Sequence, residues 1–214
     1  MTYVKICGIT NTADARLSLR YADAIGLLID VPVQTPRKIT LENAVKIAGA
    51  CGGRTVAVIM PESIDEVRNV CEQLNPFALQ FHGDETPQFM EKVKALGLPQ
   101  KIIKVIHIDV PDADAIIKRI KKYEPFVDAI LLDTRTDKVG GTGKTHDWQI
   151  SRVVVGRSNK PVILSGGLTP ENVVDAVRIV RPFAVDTASG VELAPGRKDP
   201  DKVKRFAENA KLGN

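Results

Sequence analysis

Short runs rich in apolar and β-branched residues alternate with amphipathic segments along the whole chain. This alternation limits the fold more than any other feature. The strand-like runs are "YVKI", "AIGLLI", "RTVAVI", "FALQF", "KIIKVI", "VDAILL", "PVILS" and "FAVDT". Helical patterns such as "TLENAVKIAG", "SIDEVRNVCEQL", "TPENVVDAVRIV" and "DPDKVKRFAENAKL" follow them. Thr86-Pro87, Thr169-Pro170 and Asp199-Pro200 are N-cap and proline pairs that predict helix starts. The runs are almost continuously apolar, as strands buried on both faces are. Eight such units predict an α/β fold, a closed (β/α)8 TIM barrel. A doubly wound open sheet is the alternative, but its glycine fingerprint is missing after the first strand, which ends in "CGIT". No linker or shift in composition divides the chain, so residues 1–214 read as one domain.

Composition narrows the partners. The net charge is +4, but aromatic residues are only 5%, too few for base-stacking platforms. Nucleic acid is therefore not expected, and a mildly basic surface suits an anionic small molecule. The longest apolar runs, such as "AILLD" and "VAVIM", are too short to span a bilayer. No signal-like segment opens the chain, so a cytoplasmic protein without membrane contact is expected. Cys7, Cys51 and Cys71 lack metal or disulfide spacing. Cys51 and Cys71 sit in helical patterns as structural residues, whereas Cys7 ends a strand.

In such a barrel, function gathers beyond the strands' C-terminal ends. Those ends carry Cys7, Asp30, His82, His107 with Asp109, Asp133, "SGGL" and Asp186 with "SG". "SGGLTPENV" and "DTASGVE" are glycine-bearing loops after neighbouring strands. Tight turns would explain either one alone; together they favour an anion cradle. Gly166, Gly167, Asp186, Ser189 and Gly190 are the substrate-binding candidates there. "GGTGKTHDW" is no nucleotide loop, because Lys138 stands where the first glycine belongs. A loop covering the site, with Lys144 reaching an anion, and a plain surface loop fit it equally well. Strands 1 and 6 lie three apart around the ring, so Cys7 and Asp133 face one another across the mouth. A thiol and a carboxyl so placed suit opposed acid–base work. A cysteine hydrolase using His82, His107 or His146 is the weaker alternative, since no spacing selects a histidine. Arg37 could hold a carboxylate, though composition alone would leave it in solvent.

The motifs "VKICG", "ADAIG", "TPR", "LQFHGDE", "LLDTRT", "GGTGKTHDW", "SGGLTPENV" and "SGVE" occur in one order across nearly the whole chain. In this the sequence resembles the phosphoribosylanthranilate isomerase family of tryptophan biosynthesis. The resemblance implies an Amadori rearrangement of a phosphoribosyl substrate. It implies Asp133 as general acid at the furanose ring oxygen and Cys7 as general base at C2′. Arg37 would grip the anthranilate carboxylate. No metal or organic cofactor is implied, and a monomer or a homodimer is expected. A related sugar-phosphate isomerase would be expected to use two aspartates, and a non-catalytic binder would need neither Cys7 nor Asp133. The chain departs from the family pattern at Thr35, where serine is usual, and at His146, where phenylalanine is. Ala188 stands for a serine, leaving Ser189 and backbone N–H groups for phosphate.

Overall fold

The computed structural model describes residues 1–134 and 146–213. Eight parallel strands form the barrel wall: β1 (Tyr3–Ile6), β2 (Ala24–Ile29), β3 (Thr55–Ile59), β4 (Ala78–Phe81), β5 (Lys101–Ile108), β6 (Ala129–Thr134), β7 (Val162–Leu164) and β8 (Ala184–Thr187). Neighbours pair in sequence order, and β1 pairs with both β2 and β8, which closes the ring. The helices are α1 (Thr12–Leu19), α2 (Leu41–Cys51), α3 (Ile64–Leu74), α4 (Pro87–Ala95), α5 (Ala113–Lys121), α6 (Trp148–Arg157), α7 (Val173–Val180) and α8 (Pro200–Leu212). The expected eight-unit barrel is therefore present among the described residues.

Most helices start where a side chain accepts an otherwise orphaned backbone N–H. Asn11, Thr40, Ser63, Thr86, Asp112, Asp147 and Asp199 do this. Pro87 and Pro200 open α4 and α8 as predicted. The third predicted start is corrected. Thr169 to Asn172 form a separate turn, and α7 begins at Val173. The Asn172 side chain instead accepts from Thr169 N at 2.8 Å and donates to Gly167 O at 3.0 Å. It ties the helix entry to the glycine pair.

Two apolar layers follow from the period of two along each strand. Outward-facing residues such as Ile6, Leu27, Leu79, Phe81 and Ile130 pack under the helices. Inward-facing Val56, Ala78, Ile103, Val105, Leu131 and Ile163 form a smaller cluster inside the barrel. Burying one such aliphatic side chain contributes about 1.5–3 kcal/mol. The larger outer layer therefore carries most of the stability, and the inner column can turn polar toward its C-terminal end. Cys71 is core filling at 9% exposure, and Cys51 ends α2 before the left-handed Gly52. Lys104 faces outward and is buried. It donates to Phe81 O, Gly83 O and Glu85 Oε2, fixing the loop that follows β4.

Candidate active site

The inward positions one step above the apolar cluster carry Lys5, Gln80, His107, Asp133 and Asp186. Strand register sets Lys5 beside Asp186 and His107 beside Asp133. The order β1–β8–β7–β6 puts Cys7 and Asp133 on opposite sides of the β7 and β8 loops, as the ring count predicts. Lys5 Nζ lies 2.8 Å from Asp186 Oδ1, and both side chains are almost wholly buried. The Lys5 ammonium also acts electrostatically on the Cys7 sulfur. Asp186 therefore serves first as the buried partner of Lys5, a role its place among the substrate-binding candidates did not indicate.

Burial pushes the Asp133 carboxyl up to about 7, and the Asp186 carboxylate nearby adds to this. A hydrogen bond from the Thr134 backbone and the Lys5 charge oppose the rise without cancelling it. A neighbouring carboxylate thus helps keep the proton on Asp133. The His82 ring stands at Asp133, with Nε2 3.8 Å from Oδ2, and meets the His107 ring edge to face at 5.4 Å. Burial, then the nearby His107, holds His82 neutral, near 3. Burial likewise pushes the Cys7 thiol up, while Lys5 pulls it down. Lysine thus takes the place at Cys7 that a hydrolase would give to histidine. His146 bonds Thr134 Oγ1 at 2.9 Å and Ser151 Oγ at 2.5 Å, which joins the end of β6 to α6.

Arg37 is not a solvated surface arginine. Its fork grips Glu192, Nε to Oε1 at 2.8 Å and Nη2 to Oε2 at 2.6 Å. Lys198 Nζ reaches the same carboxylate at 3.0 Å. Both residues belong to or adjoin the short antiparallel ribbon Glu192–Ala194/Arg197–Lys198. The stem of Arg37 crosses Gly8, where an added Cβ would lie 2.6 Å from Arg37 Cδ. The guanidinium is thereby held near Cys7.

The two glycine loops are stitched together. Gly190 sits so close to the β7 loop that a Cβ would fall 1.9 Å from Leu168 O. Thr187 Oγ1 donates to that same oxygen at 2.7 Å. Gly166 has φ +89, and a Cβ there would strike Thr134 Oγ1 at 2.2 Å, against the end of β6. Gly167 is left-handed as well. These glycines let the two loops and the end of β6 approach backbone to backbone, and Ser189 opens the short turn Ser189–Val191 beside them. Sequence reading missed Lys5, Glu192, Asn172 and Thr187; the signal for Lys5 was its inward parity with Cys7. Lys144 lies outside the described residues. Among the described residues, no group of three or more His, Cys, Asp or Glu side chains is placed to hold a metal ion, and no helix is long and apolar enough to cross a membrane.

Comparison with known proteins agrees with this fold. The family profile described as N-(5'phosphoribosyl)anthranilate (PRA) isomerase matches residues 4–209. The N-(5'-phosphoribosyl)anthranilate isomerase of Haloferax volcanii is 44% identical, covering 99% of this chain and 94% of its own. That of Methanocaldococcus jannaschii is 42% identical, covering 96% and 95%. The crystal structure of phosphoribosyl anthranilate isomerase from Thermotoga maritima superposes with a TM-score of 0.86 at 38% identity, over 99% of both chains. A crystal structure of the isomerase in complex with reduced 1-(o-carboxyphenylamino)-1-deoxyribulose 5-phosphate superposes at 0.82 with 36% identity, again over 99% of both. The chain belongs to the N-(5'-phosphoribosyl)anthranilate isomerase family.

Proposed function

We propose that residues 1–214 are one catalytic barrel that converts N-(5-phospho-β-ribosyl)anthranilate to 1-(2-carboxyphenylamino)-1-deoxyribulose 5-phosphate in tryptophan biosynthesis. The observation that carries the reading is the placement of Cys7 and a carboxyl held near 7 on either side of paired glycine loops. The loops of Gly166, Gly167, Ser189 and Gly190 take the phosphate on backbone N–H groups. Arg37, steered by Glu192, takes the anthranilate carboxylate.

Asp133 gives its proton to the furanose ring oxygen. The C1′–O bond breaks onto that oxygen, and the amine lone pair forms the C=N bond of the open iminium. The Cys7 thiolate then removes the C2′ proton, and the C–H electrons form the C1′=C2′ bond of the enolamine. Ketonisation completes the aldose-to-ketose change. A proton donor and acceptor of this kind accelerate a reaction by about a hundredfold to ten-thousandfold each. A monomer and a homodimer both suit the reaction. The substrate and product are small polar anions, and the enzyme works on them in the cytoplasm without membrane or nucleic acid. The test is the fluorescence of the anthranilate adduct with purified protein. A first-order loss proportional to enzyme concentration supports the reading; no loss refutes it.

A further inference from the structure

The proposed proton abstraction needs a thiolate at a residue that is only 7% exposed. Burial opposes charge on that sulfur. Four charged side chains act around it: Lys5 on β1, Asp186 on β8, Lys198 on the ribbon, and Arg37 before the strand pair at Lys38–Ile39. Arg37 and Lys198 both contact Glu192, at 2.6 Å and 3.0 Å. Lys5 differs. It lies two residues before Cys7 on the same inward column, and its ammonium pairs with Asp186 beside the sulfur. An ammonium has three donors, so one bond to a carboxylate leaves others for sulfur.

The wall opposite is Gly26 of β2. A Cβ at Gly26 would lie 2.6 Å from Cys7 Sγ and 3.1 Å from Lys5 Nζ. The missing side chain therefore makes one slot that sulfur and ammonium occupy together. We propose that Lys5 is the positioning residue of the reaction, holding Cys7 Sγ in this slot and providing the fixed positive charge against which its thiolate forms, while Asp186 anchors Lys5. The inference rests on the reading of Cys7 as the base. Lys5 stays an ammonium throughout. The thiol proton leaves to solvent before turnover, and the sulfur then accepts the C2′ proton.

The experiment follows the thiolate absorbance of Cys7 against pH in a Cys51→Ser, Cys71→Ala background, beside kcat/KM. Lys5→Met keeps the length and removes the charge. It should raise the Cys7 titration by about one to three pH units, the usual effect of an adjacent opposite charge. Below that titration, kcat/KM should fall about tenfold for each unit. Lys5→Gln, likewise uncharged and of similar length, is the second variant if Lys5→Met does not fold, and the same upward shift is expected of it. An unchanged titration in the uncharged variant overturns the role of Lys5. Near-normal turnover in Cys7→Ser would instead overturn the base reading, and the titration results separate the two failures.

Discussion

Replacing Asp133 by asparagine should cost activity and add stability, and both effects come from the same buried carboxyl. Its side chain is 22% exposed, and its titration is moved from 3.8 to about 7, first by burial and then by Asp186. In the unfolded chain the group ionises near 3.8; in the folded protein it keeps its proton to about 7. Below the lower value both states hold the proton, and folding is not penalised. Between the two, the folded state binds more protons than the unfolded one, so stability falls as pH rises. Above the upper value the full penalty applies. A rise of about three units is worth at most about 4 kcal/mol. Asparagine has no such ionisation. Urea unfolding at about pH 8 should therefore show Asp133→Asn more stable than the parent by up to about 4 kcal/mol, and at about pH 4 the gain should nearly vanish. In turnover, asparagine keeps the shape but has no proton to give, so kcat/KM should fall by at least about a hundredfold. The residual activity should also lose the limb near 7 in its pH profile. A drop of a few-fold, a persisting limb, or an equal stability difference at both pH values would refute this account of Asp133.

Arg37→Ala removes the fork held by Glu192 and should raise KM by roughly ten- to a hundredfold, the worth of a charge-assisted hydrogen bond, with less effect on kcat. Steady-state kinetics decide it, and an unchanged KM rules out a carboxylate grip. Gly190→Ala places a methyl group 1.9 Å from Leu168 O, so the β7 and β8 loops must separate. Overpacking of this kind destabilises by about 1–3 kcal/mol, and competitive inhibition by inorganic phosphate should weaken with it. Thermal unfolding together with phosphate inhibition checks both, and unchanged inhibition would move the anion elsewhere.

The amino-acid sequence alone determined the barrel and the members of its rim. Eight apolar runs spaced by amphipathic helices leave few ways to bury both faces of every strand, and closure is the one that leaves no edge. Because strand side chains alternate with period two, Cys7 and Asp133 at strand ends had to point toward the same mouth. Local chemistry likewise fixed the helix starts at Pro87 and Pro200. Only the tertiary structure decided how these groups act. Lys5 and Asp186 are 181 residues apart, and Arg37 and Glu192 are 155 apart. No short-range pattern reports such pairs, since closing the ring is what brings them together. Gly26 looked like an ordinary glycine, and the close packing of the cradle candidate Gly190 on Leu168 O was unseen, until the neighbours that would strike a Cβ were known. The raised titration of Asp133 was foreseeable from burial, but its second cause was not. The repulsion from Asp186 falls off with distance through a medium of low polarity, and only the folded chain sets that distance.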